Sequence, residues 1–395
     1  MSQKKLMILG ASRLQLPAIM EAKNMGLYTI VIDINKNAIG VDYADEFYRI
    51  STIDINNIIK KAEELKIDGI MTLATDMPMR SVAAVGEKLG LNTISYETAI
   101  RATDKVEMRK CLLENNVPVP FFYSIGTYNE FKEVVNSFKE DLIVKPVNSS
   151  GSRGVYLLHG RNNLKSIYNY SRSFSKNGKV LVEEYMKGPE VSVETITINR
   201  ITYIIAITDK LTNGAPYFVE MGHSIQSLLP DNVKDDIKNV AKAAIAAIGI
   251  NNSSAHTEII VTDKGAKIVE LGSRLGGDNI TTSLVPLSTG VNMVKSCIEL
   301  ALGRIPDINR KFNKGSAIRF FNSGEGILRK VEGIENVRNR PGICEINITK
   351  SIGEKIEEIK SSVNRIGYVI AQSDSVQDAM DICQKTLGEI NIIVD

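Results

Sequence analysis

The sequence predicts a mixed α/β and α+β protein, with a doubly wound parallel-sheet domain over 1–100, a larger β-rich domain over 101–308 and a small α+β domain over 309–395. Three observations predict this. Apolar strands alternate with helical stretches through the first hundred or so residues, as a parallel sheet with crossover helices requires. From Asp141 onward, short apolar runs recur about every ten residues with turn residues between them, which suits antiparallel pairing. A length of 395 residues, at roughly 100–200 per domain, makes two or three domains.

The first strand is the apolar run KKLMIL, stopped by the turn Gly10-Ala11-Ser12. A helix over Leu14–Met25, a buried strand TIVIDI, a polar helix near Ile53–Leu65 and a third strand IDGIMTLATD follow. A helix near Ser81–Leu89 and a short strand at Leu91–Ile94 complete the first unit. The next helix starts at Thr103-Asp104-Lys105, with Asp104 or Thr103 as its N-cap. The prolines of VPVP stop it, since proline cannot continue a helix. The β-rich part reads LIVKP, GVYLL, KVLVEEY, EVSVETITI and ITYIIAIT, then a helix over Asp231–Ile248. The strands SSAHTEIIVT and AKIVELG join through Asp263-Lys264-Gly265, and a helix over Asn292–Leu302 closes the region. DINRKFNKG is a linker, and the last part carries strands and a helix at Val376–Leu387.

A net charge of +2 gives no reason to expect a nucleic-acid partner. No apolar run approaches the ~20 residues of a membrane span, so no membrane association is expected either. The two lysines before LMIL could open a signal peptide, but that run falls short of the ~7–15 residues required. The four cysteines (Cys111, Cys297, Cys344, Cys383) are scattered and form no C-x-x-C pair. This argues against a zinc site or a disulfide framework and fits a reducing cytoplasm.

Three segments carry chemistry. VNSSGSRGV, residues 147–155, joins two strands with small residues. Backbone N–H groups in such a loop can approach phosphate oxygens; the same composition also makes ordinary hairpin turns. It is not a Walker-A loop. Lys145 before it and Lys105 at a helix start would put charge on the phosphates. Glu258 in HTEIIV and Glu270 in KIVELGSR lie on apolar strands made neighbours by the Asp-Lys-Gly turn. Buried carboxylates that close together call for a cation, and Mg²⁺ prefers oxygen ligands; as exposed residues they would be common, weak ion-pair partners. Arg274, four residues on, is placed to touch a transferred phosphate. In KVLVEEYMKGPEVSVE, the backbone of Glu184 to Met186 could read an adenine edge and Glu190 the ribose hydroxyls, although exposed glutamates are the usual case.

In order, DKVEMRKCLLENNVPVP, LIVKPVNSSGSRGV, VLVEEYMKGPEVSVE, HTEIIV and IVELGSRLGG resemble the ATP-grasp superfamily over residues 1–310. The resemblance implies an ATP-grasp fold with an N-terminal parallel-sheet domain, a central two-part ATP-grasp domain and a small C-terminal α+β lid. It implies ATP as cosubstrate and Mg²⁺, with Mn²⁺ as a substitute. By it, Lys105 and Lys145 contact phosphates, and Ser149, Ser150, Gly151, Ser152, Arg153 and Gly154 fold over the triphosphate. Glu183, Glu184, Tyr185 and Met186 take the adenine, Glu190 the ribose, and Glu258 and Glu270 the metal. Arg274 and Lys145 are the catalytic pair, with Arg274 stabilising an acyl-phosphate step. The family often has E-x-N-x-R where this chain has Glu270-Leu271-Gly272-Ser273-Arg274. Gly272 supplies no side-chain ligand, which leaves the number of metal ions open.

ITDKLTNGAPYFVEMGHSIQSLLP further resembles the substrate side of dipeptide-forming amino-acid ligases. So do HTE at 256–258 and the R-x-G-G of Arg274–Gly277, and together they imply an amino-acid pocket of Glu220, His223, His256, Arg274, Gly276 and Gly277, with a carboxylate and an amine as small-molecule substrates; the ATP-grasp resemblance implies a homodimer. His223 and His256 also have a purely structural reading in a β-rich region. The alternatives are a purine-pathway or biotin-carboxylase-like reaction on the same scaffold, an NAD-dependent oxidoreductase, and a non-catalytic nucleotide binder. LGASRLQ with Asp33 is the start of a dinucleotide fingerprint, but Ser12 and Gln15 stand where its later glycines are needed.

Overall fold

The computed structural model of the protein describes residues 3–148 and 153–395. The N-terminal sheet contains β1 (Lys5–Leu9), β2 (Tyr28–Ile32), β3 (Glu46–Tyr48) and β4 (Gly69–Met71). Their order is β3-β2-β1-β4 and every pairing is parallel. Helices Leu16–Asn24, Ile55–Leu65 and Pro78–Leu89 accompany it, and prolines occupy the first turn of the first and third, where no N–H bond is lost. All four strands therefore end on the same side, at the crevice where parallel sheets take ligands.

Two expectations change here. The third strand shrinks to Gly69–Met71, and Leu91–Ile94 is not a strand. Asn92 of that segment donates its side-chain amide to the Leu300 carbonyl (2.5 Å), and Thr93 fills the space beside Gly86. The segment is committed to packing rather than to a ladder.

Helices Tyr96–Thr103 and Lys105–Glu114 meet at Asp104, whose carboxylate accepts from the N–H groups of Val106 and Glu107. This cap fixes where Lys105 sits, at the first residue of the second helix. Next is an antiparallel sheet of β5 (Phe122–Ile125), β6 (Leu142–Pro146), β7 (Tyr156–Leu158) and β8 (Val180–Glu184), in the order β5-β8-β6-β7.

The large sheet begins with β9 (Glu190–Ile198), β10 (Ile201–Thr212), β11 (Glu220–Ile225), β12 (Ser253–Thr262) and β13 (Gly265–Gly272). The remaining strands are β14 (Gly315–Phe320), β15 (Gly326–Glu332), β16 (Ile343–Ile348), β17 (Lys355–Ile356), β18 (Gly367–Ser373) and β19 (Asn391–Val394). Eight strands form one sheet, β13-β12-β9-β10-β11-β14-β18-β16, and β17-β15-β19 form another. The eight-stranded sheet is continuous across residue 308, because β11 pairs with β14. Helix Asp231–Ile248 buries Ile237, Val240, Ile245 and Ile248 on the β12–β13 side. Four such side chains contribute roughly 6–12 kcal/mol of transfer energy before chain entropy is counted. Among the described residues no helix is long and apolar enough to cross a membrane.

Candidate active site

The site grows from the hairpin of β12 and β13. Its register sets Glu258 directly opposite Glu270, so both carboxylates leave the same face. Each has a lysine. Lys105 Nζ lies 2.5 Å from Glu270, and Lys210 Nζ lies 3.2 Å from Glu258. Lys210, on β10, also reaches Glu190 (2.5 Å) and Glu220 (3.6 Å), and only 4% of its side chain is exposed. One buried ammonium thus balances three carboxylates. Burial works against its charge, but Glu190, Glu258 and Glu220 outweigh that and hold its pKa well above the usual lysine value. Glu190 is pushed up, first by burial and then by Glu258 and Glu220, with Lys210 opposing.

A second cluster lies on the other side. Lys145 on β6 and Glu183 on β8 are diagonal neighbours on paired strands, with Nζ 2.6 Å from Oε2. Arg109, one turn along the helix from Lys105, meets the same carboxylate with Nε at 3.0 Å from Oε1. Its remaining nitrogens donate to the carbonyls of Ile268 and Val269, so it ties helix, β8 and β13 together. Burial raises the Glu183 pKa, yet Arg109 and Lys145 overcome it and bring it to about 2. Lys145 is lowered by burial, with Glu183 opposing. Glu184 pairs both oxygens with Lys267 at 2.9 Å.

His256 sits between Glu194 (Nδ1–Oε1 2.7 Å) and Glu258 (Nε2–Oε1 3.4 Å). Burial would lower its pKa, but these carboxylates, Glu194 foremost, lift it to about 9. The ring is therefore an imidazolium at neutral pH and donates to both sides. Gly276 leaves room for it, since a Cβ there would come within 2.6 Å of His256 Nδ1. Arg274 is held by the N-terminal domain, with Nε 2.8 Å from Asp76 Oδ1. Gly272 makes that bond feasible, because a Cβ at 272 would lie 2.9 Å from the same Asp76 oxygen and 3.1 Å from Arg274 Cζ.

Most of these groups line a cavity of about 520 Å³, which also includes Arg153, Tyr185 and Met186, while Arg109, Glu194, Lys267 and Asp76 stand behind its wall. Lys105, Lys145, Glu183, Glu184, Glu190, Glu220, His256, Glu258, Glu270 and Arg274 thus come together. His223 does not line it; its Nε2 lies 3.4 Å from Asp278 and the residue is 2% exposed. Gly276 and Gly277 lie on the loop after Arg274, outside that lining. Gly154 is buried beside Phe174 and Pro146. Ser149, Ser150, Gly151 and Ser152 lie outside the described residues. A second cavity, about 550 Å³, opens at the ends of β1, β2 and β4 and shares Lys105, Arg153 and Glu270 with the first.

Sequence reasoning missed Arg109, Lys210, Asp76 and Asp278, and it reached Glu194 only as one of the acids of KVLVEEYMKGPEVSVE, not as the partner of His256. Lys210 and Glu194 carried a usable signal, a charge within an apolar strand run. For Mg²⁺, two facing carboxylates on one cavity wall are a fitting donor set, since that ion takes one or two carboxylates plus phosphate oxygens. Among the described residues there is no larger cluster of His, Cys, Asp and Glu suited to a metal.

Two family descriptions match the chain: the ATP-grasp domain at residues 138–282 and the L-amino acid ligase C-terminal domain 2 at residues 319–395. An L-arginine-specific L-amino acid ligase of Bacillus subtilis is 20% identical over 359 residues, 87% of this chain and 86% of that protein. The structure of an L-amino acid ligase from Bacillus licheniformis superposes with a TM-score of 0.87 at 20% identity, covering all of both chains. Phosphoribosylglycinamide synthetase from Anaerococcus prevotii superposes with a TM-score of 0.79 at 25% identity, again over both whole chains. The chain thus carries an ATP-grasp domain over residues 138–282 and, over residues 319–395, the C-terminal domain 2 described for the L-amino acid ligases.

Proposed function

We propose that the protein is an ATP-dependent carboxylate–amine ligase acting on an amino acid. The observation that carries this is the cavity of about 520 Å³ in which Glu258 and Glu270 face each other, ringed by Lys105, Lys145, Lys210 and Arg274. That array suits a triphosphate and a carboxylate brought together against their mutual repulsion. A substrate carboxylate attacks the γ-phosphorus, ADP leaves, and an acyl phosphate forms. An amine then attacks the acyl carbon, phosphate leaves, and an amide remains.

Lys105 and Lys145 neutralise phosphate oxygens, and Glu190 takes the ribose hydroxyls. Glu184, Tyr185 and Met186 border the adenine. Glu258 and Glu270 would hold Mg²⁺, which would supply positive charge against the phosphates. Until a cation is bound, Lys210 and Lys105 balance these carboxylates, at 3.2 Å from Glu258 and 2.5 Å from Glu270. Arg274, steadied by Asp76, faces the transferred phosphoryl group. The similarity to two amino-acid ligases supports the amino-acid assignment, as does Glu220 on the cavity wall.

A phosphate-release screen of amino-acid pairs with Mg·ATP, with mass spectrometry of the products, tests this. A pair that releases phosphate and yields the dipeptide mass is expected. If no pair raises release above ATP alone, the reading is wrong. The cavity at the ends of β1, β2 and β4 favours a second reading, in which the amine belongs to a larger molecule, as in purine-pathway relatives. Stimulation by a phosphoribosyl amine, with none by amino-acid pairs, would select it.

A further inference from the structure

Arg365 precedes β18 in the C-terminal domain, and its side chain is 9% exposed. Its guanidinium fork closes on the Asp278 carboxylate, with Nη1–Oδ2 at 2.7 Å and Nη2–Oδ1 at 2.6 Å. Nη1 also donates to the carbonyl of Glu220 (3.1 Å), the first residue of β11. The guanidinium lies over the Phe320 ring, 3.7 Å from its centre. One side chain thus joins the loop after Arg274 to the start of the strand carrying Glu220 and His223.

The loop needs such a hold. Asp278 and Asn279 take positive φ values of 50° and 60°, and residues other than glycine keep that conformation only when their surroundings enforce it. Asp278 in turn faces His223 Nε2 at 3.4 Å, which orients the ring. A planar fork with two parallel bonds and a stacked ring is a geometry lysine cannot copy.

We propose that Arg365 is a positioning residue for the part of the cavity wall that carries Glu220, which the reading above gives to the substrate acid. It fixes Glu220, His223 and the loop 275–279 relative to one another from the C-terminal domain, without touching substrate. Naming an amino acid as that substrate rests on the ligase reading above; the docking of the loop does not.

The test therefore has two arms, run on the full chain with Arg365→Gln, Arg365→Lys and Asp278→Asn. The first is amide hydrogen exchange over residues 275–283. Exchange at least tenfold faster is expected in Arg365→Gln and Asp278→Asn, and a smaller rise in Arg365→Lys, with the affinity for Mg·ADP within twofold of wild type. Unchanged exchange overturns the proposal, and so does loss of Mg·ADP binding in Arg365→Lys, because the effect would then be global. The second arm uses the amino-acid pair that gives the most phosphate release. The KM for the acid should rise at least tenfold in Arg365→Gln while the KM for ATP stays within twofold. Equal rises in both refute a positioning role. If wild type responds to no pair, the ligase reading fails, and the exchange arm still decides the role of Arg365.

Discussion

Replacing Glu183 with Gln should destabilise the protein in a way that depends on pH. Its carboxylate lies 2.6 Å from Lys145 and 3.0 Å from Arg109, and all three residues are buried. Its pKa falls from 4.5 to about 2 in the fold. At ~1.36 kcal/mol per pKa unit, that difference is roughly 3 kcal/mol of stability. Glutamine keeps the shape but leaves two buried cations without their partner, a loss of about 3–5 kcal/mol for a broken buried pair. Because the folded pKa is the lower one, the contribution is complete above 4.5 and disappears as pH falls toward 2; about half is gone near pH 3. Urea unfolding followed by circular dichroism should show a lower midpoint for Glu183→Gln at pH 7, and the gap should narrow at pH 3. Equal midpoints at pH 7, or a gap that does not narrow, would refute the claim that this carboxylate balances both cations.

Lys210→Met leaves Glu190, Glu220 and Glu258 facing one another. Stability without nucleotide should drop by roughly 3–5 kcal/mol, and calorimetry should show tighter binding of Mn²⁺ alone; if both stay at wild-type values, Lys210 does not balance the acids. Glu270→Gln should cut phosphate release by about 100-fold or more with an unchanged circular dichroism spectrum, and full activity would remove Glu270 from the metal site. Gly272→Asn puts the family's usual ligand back but drives a Cβ into the Asp76–Arg274 pair. Phosphate release should fall at least tenfold at every Mg²⁺ concentration tried, and a gain in activity would show that the glycine is not there to make room.

The parallel sheet, the antiparallel sheets and most helices were readable from periodicity, and Asp104 from its capping chemistry. Helix Asp231–Ile248 has the bounds its apolar spacing implied. Leu91–Ile94 misled because an apolar tetrapeptide does not show whether it pairs or packs. Glu258 and Glu270 were legible as charges in apolar strands. Lys210 in IIAITDK bears the same mark and was passed over, because its meaning comes from three acids on three other strands. Asp76 and Arg365 carried no local signal at all. Their partners lie 198 and 87 residues away in the chain, and only the tertiary fold brings them together.

The bond from Asp76 to Arg274 has a consequence for how this architecture can be rearranged. It crosses from the segment after β4 to the residues just past the end of β13, at 2.8 Å. An arginine steadied by another domain depends on that domain for its position. A chimera that exchanges residues 1–100 for those of a relative should keep its nucleotide contacts yet lose turnover unless the incoming segment brings an acid to the place of Asp76. Recombination at this boundary is thus constrained by one carboxylate and by the glycine that leaves room for it.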